Sequence, residues 1–600
     1  MAIEALKRLS LVGLARQKAE VLDRLQALGC LHLVPLAPTP KEPETVPPAH
    51  AVDAAKALRY LQEEPQKRRQ LRADTDFDMA ETVRRVLANK DRLREMEDRR
   101  DALVQRVQDL TPWGDFRLPP DGAMAGRKLW FYILPRAKLE ALADLALPWQ
   151  VVHQDNRQAY VVVIDAEEPP SDALPVPRTH TGSLSLTEVR SQLETAELAL
   201  EDIRAERQAL TRWIYLMTAH FARAEDDAAL RHAEAHTLDA DGIFAAQGWV
   251  GVSAIGAVET LAREQGLALL IEDPAPTDQP PTLLHNPEPL SAAESLVNFY
   301  QMPAYRSWDP SRVLFFSFAI FFAMILSDAG YAGVLGLGLL AFWRRLGDSV
   351  GGRRFRVLAA TITTASLAWG VLVGSYFGVA PPPESLLGRL DRLDIDDFET
   401  MMRLSIGIGV LHLILANAVR AIGLWPRFSA LVPLGWILVA AGGYAGWLLL
   451  DAADPLVANA PFWVLGLGFV LVFFAGSERP LTGLGSVLLR GVDGLMALTQ
   501  LTKIFGDALS YLRLFALGLA SASLALTFND LAAQVGDQVE GLGLLLKLLL
   551  LLVGHTLNLV LGLVSGVVHG LRLNYIEFYN WALSGEGYPF RPFKKTEIIE

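Results

Sequence analysis

Hydrophobic and polar positions follow different patterns in the two halves of the chain. Across residues 1–300, short alternating runs and helical spacings are interrupted by charged residues, which predicts strands and surface helices. Across residues 301–600, apolar runs of about 20 residues recur, and each is long enough to cross a bilayer as a helix. The pattern predicts a multi-domain protein in which an α/β part is followed by an all-α polytopic membrane part.

The first half contains three regions where strands flank a helix. They predict compact α/β lobes at residues 1–50, 120–170 and 240–275. A proline-rich stretch at 274–289 then predicts the linker into the membrane part.

Two charged helices, predicted at 51–110 and 185–236, connect the lobes. Apolar residues of the second recur at alternating steps of four and three, which is the spacing of a coiled-coil seam. Its natural partner is the segment 78–110, because the lobe at 120–170 separates the two in sequence and permits an antiparallel hairpin. The pattern predicts a long antiparallel coiled-coil rod, which either only holds a distance or docks other subunits at its lobes.

The second half predicts about eight membrane helices. Their ranges are 311–327, 329–343, 357–379, 404–422, 429–450, 461–476, 504–529 and 542–582. The last two exceed the roughly 20 residues that a bilayer requires, so they are expected to be tilted.

Loop charges orient these helices. Arginine and lysine are concentrated after the second, fourth and sixth predicted helices and at the C-terminus. The opposite loops carry acidic residues, namely Asp391, Asp394, Asp396, Asp397, Glu399, Asp451, Asp454, Asp530, Asp537 and Glu540. Because cytoplasmic loops are enriched in basic residues, both termini are predicted to be cytoplasmic.

Composition excludes several classes of function. The formal net charge of −12 argues against nucleic acid as a partner. The single cysteine, Cys30, excludes an intrachain disulfide and a multi-cysteine metal site. The sequence contains no phosphate-binding loop, dinucleotide-binding glycine motif or His-Glu-x-x-His motif. No cofactor or metal is expected, and any ATP would be hydrolysed by another chain.

Arg513 lies inside an apolar run at membrane depth. A charge at the bilayer centre costs about 2.5–3.5 kcal/mol on insertion scales, so such a residue usually has a partner or lies on an ion path. Small and polar residues share its helix face at Gly506, Ser510, Ala516, Ala520, Ser523 and Thr527. This stripe is expected to face protein or water rather than lipid.

The last helix carries a second polar stripe. Its members, spaced by three and four, are His555, Asn558, Gly562, Ser565, His569 and Arg572. Structural alternatives stay open for several of them: Arg572 could pair with Glu577 at the interface, and His555 and Asn558 could join two helices. Likewise His412 is either a packing hydrogen bonder or a proton relay, and Asp328 either caps a helix or contacts an ion.

Several stretches of the membrane half resemble a known family. They are SYLRLFALGLA at 510–520, the terminal segment 554–593, YQMPAYRSWDPS at 300–311, SDAGY at 327–331 and GSYFG at 374–378. The first resembles the signature of subunit a, called subunit I in prokaryotes, of the V-type/A-type rotary ATPases, and the segment 554–593 is similar to that family's C-terminus.

The resemblance implies a non-catalytic stator subunit with two α/β lobes joined by a coiled-coil rod. It implies a rotor ring of membrane subunits as partner, each with one essential carboxylate, and peripheral stalk subunits that connect to the catalytic head. Two offset half-channels would meet near the arginine. By this match Arg513 is the principal arginine and Arg572 the supporting one. The candidates to line the half-channels are Ser510, His555, Asn558, Ser565, His569 and Glu577.

Two other readings remain. One is a secondary ion transporter with a cytoplasmic regulatory domain, which should show an internal helix repeat. The other is a membrane tether, which has no use for a buried arginine. The sequence leaves open whether the ion is a proton or sodium and in which direction it moves. The expected location is a prokaryotic plasma membrane.

Overall fold

A computed structural model describes most of the chain. The described residues are 3–36, 49–74, 77–120, 123–143, 145–170, 173–395, 397–450, 452–480, 483–538 and 542–596. Two compact units are formed, Met1–Leu36 with Thr237–Phe593, and Ala37–His236 with Lys594–Glu600. Residues 37–48 of the predicted first lobe lie outside the described residues, as do Asp396, Asp451, Glu540 and the side chain of Asp537.

Within the described residues, eight strands form two antiparallel sheets. The strands are β1 Leu6–Leu14, β2 Leu31–Val34, β3 Lys128–Pro135, β4 Trp149–Gln154, β5 Gln158–Asp165, β6 Leu238–Ala240, β7 Ile243–Gly251 and β8 Ala268–Glu272. The sheet of the first unit has the order β2-β7-β1-β8, with β6 also paired to β7. The sheet of the second unit has the order β3-β5-β4.

Seven helices accompany the sheets in the described residues. They are α1 Lys18–Leu28, α2 Ala49–Gln62, α3 Met79–Leu110, α4 Leu186–Leu210, α5 Ile214–His236, α6 Ile255–Glu264 and α7 Ser291–Tyr300. In the second unit α3 and α4 pack antiparallel. Leu110 at the end of α3 contacts Leu186 at the start of α4, and Asn89 donates to the carbonyl of Ile203. The extended rod itself stays a prediction.

The predicted helix 51–110 is interrupted between α2 and α3. Pro65 lies just after α2, and a proline cannot extend a helix and disfavours helical backbone in the residue before it. In the lobe predicted at 120–170, the helical segment between β3 and β4 is only a 3-10 helix, Arg136–Leu142. The helical region predicted at 185–236 is present as α4 and α5, joined by a 3-10 turn at Thr211–Trp213.

The lobe of the first unit is built from strands far apart in sequence. β1 pairs with β7 from Leu6 opposite Gly251 to Leu14 opposite Ile243, and with β8 on its other side. Alternate residues of β1 such as Leu9 and Leu11 are fully buried, as the period of a half-buried strand requires. The lobes predicted separately at 1–50 and 240–275 therefore share one sheet.

Helices follow the lobe in the first unit. They are α8 Ser311–Leu326, α9 Ala329–Leu346, α10 Val350–Val373, α11 Phe398–Leu424, α12 Leu431–Leu448, α13 Pro455–Ala475, α14 Leu484–Leu498, α15 Leu501–Leu509, α16 Leu512–Gln538, α17 Gly543–Arg572 and α18 Tyr579–Ala582. Six helical stretches of the described chain are long and apolar enough to cross a membrane, and α8 is a shorter apolar helix. The predicted count of about eight stays a prediction.

α8 lies at the centre of this helical part. It contacts α10, α16 and α17, and residues on nearly all its faces are buried, including Leu314, Phe318, Phe322 and Ile325. A helix that is apolar all round is expected in such a central position. It supplies the surface on which α16 and α17, the two helices with polar stripes, pack.

The segment after α18 returns to the lobe of the same unit. The amide of Phe593 donates to the carbonyl of Leu31, and the amide of Arg591 donates to Nδ1 of His32 at 2.9 Å. Thr282 and Pro589 form a further bridge. Because β2 is an edge strand, this segment covers backbone groups that would otherwise be open to pairing.

Candidate functional site

The predicted helix at 504–529 is not continuous. α15 ends at Leu509 and α16 begins at Leu512, with a turn at Ser510 and Tyr511. Tyr511 is fully buried, and its ring lies so close to Gly409 of α11 that a Cβ there would be 2.5 Å from it. Its hydroxyl bonds Nδ1 of His412 at 2.8 Å. We attribute the break beside Arg513 to this packing.

The predicted last helix, 542–582, is also divided. α17 ends at Arg572, and Leu573–Phe578 form a π-helical turn before α18. The turn buries most of its side chains, among them Asn574 and Glu577. Ser317 of α8 donates to the Asn574 side chain at 2.5 Å. π-Helical turns are rare and occur frequently at functional sites.

Arg513 and Glu577 meet where these two irregularities face each other. Arg513 Nη1 lies 3.9 Å from Glu577 Oε1, and the side chains are 22% and 3% exposed. Within the described chain, Nη1 of Arg513 and Oε2 of Glu577 are buried with no hydrogen-bond partner. The two groups therefore lie close together without a hydrogen bond that joins them, which is a costly arrangement in a dry interior.

Three further predicted residues lie around this pair. Ser510 and Arg572 are near the Glu577 carboxyl, and His569 and Arg572 are near Arg513. Arg572 is exposed, so Arg513 rather than Arg572 forms the ion pair with Glu577. We call these residues the arginine cluster, which consists of Ser510, Arg513, His569, Arg572 and Glu577.

A second group of polar residues, the tyrosine cluster, lies nearer the start of α17. It consists of Tyr331, Ser521, Asn529, His555 and Asn558. Asn558 Nδ2 donates to the Tyr331 hydroxyl at 3.0 Å and to the Ser521 carbonyl at 2.8 Å. The Tyr331 hydroxyl bonds His555 Nδ1 at 2.8 Å, and His555 Nε2 bonds Asn529 Oδ1 at 3.1 Å. One neutral tautomer of His555, protonated on Nε2, satisfies the whole chain of bonds.

The polar stripe predicted on α17 is divided between buried and open faces. Glycines with Asn558 form the buried face at a spacing of four, namely Gly554, Gly562, Gly566 and Gly570. A Cβ at Gly566 would lie 2.6 Å from the Phe322 ring of α8, so only glycine permits this approach. His555, Ser565 and His569 are half-buried beside that face, and Ser565 lies between the two clusters along the helix.

The two clusters are well separated. Asn558 and His569 are eleven positions apart on α17, which is about 17 Å at a rise of 1.5 Å per residue. On α16 the stripe beyond Arg513 leaves Ala516, Ala520, Ser523 and Thr527 exposed. That helix therefore presents a surface of small residues, with Arg513 at one end.

His412 and Asp328 have structural partners. His412 stacks on Phe578 with ring centroids 4.3 Å apart, in addition to its bond with Tyr511. Asp328 accepts the amide of Tyr331 at 2.9 Å and so caps α9, and its other oxygen accepts from Ser375 and Gly378. These contacts match the packing and capping alternatives for the two residues.

Sequence reasoning did not include Tyr331, Ser521 and Asn529 among the site residues. The signal was present, because each is a polar residue beside or within an apolar run. Only the fold brings the three together with His555 and Asn558. In the part of the chain that the structure describes, no group of three or more His, Cys, Asp or Glu residues is arranged to hold a metal ion.

The chain is similar to known proteins of one family. Residues 505–595 match the model described as the V-type ATPase 116kDa subunit family. The chain is 27% identical over 567 residues to "V-type ATP synthase subunit I" of Chlamydia trachomatis serovar D, covering 82% of this chain and 84% of the relative. It is 27% identical over 639 residues to "V-type ATP synthase subunit I 1" of Treponema pallidum (strain Nichols), covering 99% and 100%.

A solved structure is also similar to part of the chain. It is the "Crystal structure of the cytoplasmic N-terminal domain of subunit I, homolog of subunit a, of V-ATPase", at 18% identity over 44% of this chain and 99% of that one. The TM-score is 0.22, which is too low to support any statement about the fold.

Proposed function

We propose that this chain, which is similar to the V-type ATPase 116kDa subunit family over residues 505–595 and to subunit I proteins over most of its length, is the membrane stator subunit of a rotary ATPase or ATP synthase. In this role it is not itself catalytic. It stands beside a rotor ring whose subunits each carry a carboxylate, and it conducts ions to and from that ring.

The observation that carries the proposal is the incomplete pairing of Arg513. A guanidinium remains protonated in proteins, so its charge persists at membrane depth. Glu577 is its ion-pair partner at 3.9 Å, and Nη1 has no hydrogen-bond partner within the described residues. An incoming carboxylate at the small-residue face of α16 would supply the missing partner and would be held ionised by the charge.

The two polar clusters support two half-channels at different depths. The arginine cluster offers Ser510, His569, Arg572 and Glu577 beside Arg513. His555, Asn558 and Ser565 lie nearer the start of α17 and would line the other half-channel. Arg513 is a fixed cation where the first half-channel ends, so it repels a proton or sodium ion and opposes a direct leak into the other. The ion then crosses only by way of the ring carboxylate.

The soluble parts would connect this subunit to the rest of the machine. The α/β lobes are proposed to bind peripheral stalk subunits, which lead to the catalytic head where ATP is hydrolysed or made. The basic loops favour an orientation with both termini on the cytoplasmic side of a prokaryotic cell membrane.

The test is ATP-driven acidification of vesicles that carry the reconstituted complex, with Arg513→Ala beside the unaltered chain. We expect an assembled complex that no longer acidifies the vesicles. Arg345→Ala is the matched control, because it removes an exposed arginine at the end of α9 and should leave pumping unchanged. Normal pumping by Arg513→Ala would overturn the proposal. Ion transport by the purified chain alone would favour a secondary transporter.

A further inference from the structure

An apolar groove runs between α8 and α11 on the outer side of the helical part. Its volume is about 350 Å³, and its apolar lining includes Phe316, Ile320, Leu411 and Leu415. All four of these side chains are exposed, at 56%, 48%, 67% and 40%. A continuous apolar surface of this kind marks a site of contact with a partner or with lipid.

A larger cavity of about 1060 Å³ adjoins the groove and shares Arg312 with it. Its lining includes Arg306 and, at the end of α11, Arg420. Arg306 is already occupied, because it donates to the carbonyls of Ala275 and Pro276. Arg312 and Arg420 are exposed residues of this lining, so two cations are available where the apolar groove opens into the cavity.

The carboxylates of the same cavity are engaged elsewhere. Asp309 accepts from Ser311 at 2.9 Å and from Asn286 at 2.7 Å. Glu4 accepts the amide of Ser253 at 3.1 Å. Trp308 also lines the cavity and donates its indole N–H to the carbonyl of Ala582. Tryptophan is enriched at the level of lipid headgroups, so this cavity lies where a headgroup is expected.

We propose that the cavity and the groove together bind one anionic phospholipid. Its phosphate lies at Arg312 and Arg420, and one acyl chain follows the groove over Phe316, Ile320, Leu411 and Leu415. Charge complementarity selects the headgroup, because basic pockets between membrane helices bind anionic headgroups. The apolar lining selects an acyl chain rather than a soluble phosphate compound.

The experiment is photo-cross-linking in vesicles of phosphatidylcholine that contain the full chain. The probe is phosphatidylglycerol with a diazirine on one acyl chain, and the same diazirine on phosphatidylcholine is the neutral comparison. Labelled residues are mapped by mass spectrometry. We expect the anionic probe to label α8 and α11 within the groove and the neutral probe to label it no more than other lipid-facing helices.

Arg312→Gln combined with Arg420→Gln should lower labelling of the groove by at least about tenfold, because each basic side chain adds to the attraction of an anionic lipid. Arg345→Gln is the matched control and should change nothing. Equal labelling by both probes, or labelling unaffected by the double substitution, would overturn the proposal. If the double variant does not fold, competition on the unaltered chain decides: unlabelled phosphatidylglycerol should displace the probe and phosphatidylcholine should not.

Discussion

The arginine cluster and the tyrosine cluster are both polar groups held between α16 and α17, yet they differ in how fully their hydrogen-bonding groups are used. In the tyrosine cluster, Tyr331, His555 and Asn558 bond one another and their neighbours at 2.8–3.1 Å. In the arginine cluster, the closest approach of Arg513 to Glu577 is 3.9 Å.

This difference suggests that the tyrosine cluster holds helices together, whereas the arginine cluster has bonding groups left over for a partner molecule. A satisfied network fixes the positions of the helices that share it. An unsatisfied buried charge costs free energy in the isolated chain, and that cost is removed when another molecule supplies the missing bonds. The comparison thus predicts that substitutions in the tyrosine cluster lower stability, whereas substitutions in the arginine cluster lower activity without lowering stability.

The largest effect is expected from Arg513→Gln. This change removes the charge but keeps a side chain of similar polarity, so coupled pumping should fall to background while the thermal midpoint of the purified chain does not fall. Tyr331→Phe, which removes one hydroxyl from the tyrosine cluster, should retain measurable pumping. Vesicle acidification and thermal unfolding in detergent measure both quantities. If Arg513→Gln still pumps, the proposed functional difference between the two clusters is wrong.

A smaller effect is expected from Glu577→Gln. The neutral side chain keeps the shape of the π turn but can neither pair with Arg513 nor carry a proton. We expect pumping to fall by about a hundredfold, at the lower end of what a positioned proton-transfer group contributes. Glu586→Gln, at an exposed carboxylate after α18, is the control that should not change the rate. An unchanged rate in Glu577→Gln would show that pumping requires neither the charge nor the proton of Glu577.

Asn558→Leu tests the other side of the comparison. It removes bonds to the Tyr331 hydroxyl and the Ser521 carbonyl, and hydrogen bonds between membrane helices contribute about 0.6–2 kcal/mol each. The thermal midpoint should fall by a few degrees. Thr556→Leu, on the exposed face of the same helix, should not lower it. An undiminished midpoint for Asn558→Leu would mean that the network does not hold the helices.

The smallest effect concerns His32, a bonded histidine outside the membrane helices. Burial lowers the pKa of His32 below its ordinary 6.5, with the nearby Arg591 charge acting in the same direction. Because the folded pKa lies below the unfolded one, the contribution of the neutral side chain to stability is full above about pH 6.5 and is lost as the pH falls through the folded pKa.

Hydrogen exchange at the Arg591 amide measures this loss, because that amide donates to His32 Nδ1. Exchange, corrected for its intrinsic pH dependence, should become faster on acidification. In His32→Gln the corrected rate should no longer depend on pH. A pH dependence that persists in His32→Gln would assign the effect to another group.

Many of the helices could be predicted from the periodicity of the sequence. The features that could not be predicted depend on contacts between distant parts of the chain. The apolar runs of the sequence fall on α8 to α13 and α17, because membrane helices satisfy their own backbone groups and so need long apolar segments. The pairing of β1 with β7 joins residues far apart in sequence, and no local pattern encodes it. The turn at Ser510 and the π turn at Leu573–Phe578 arise from packing against other helices, which a single helix sequence does not reveal.

Part of the candidate site could also be predicted from the sequence pattern. Arg513 stood out because a charge in an apolar run is rare. The stripe of α17 was visible as a period, but its division into a glycine face on α8 and a half-open face was not. Tyr331 and Asn529 enter the site from other helices, so only the folded chain shows them bonded to His555.

The contact of the last described residues with β2 has a consequence for the order of synthesis. His32 and Arg591 are 559 positions apart, so the edge of β2 stays uncovered while nearly the whole chain is translated. It is covered only after α17 and α18 have emerged from the ribosome and the chain has returned to the lobe. A chain that lacks Arg591 and Phe593 would therefore leave the outer edge of β2 open, and an open strand edge can pair with another chain.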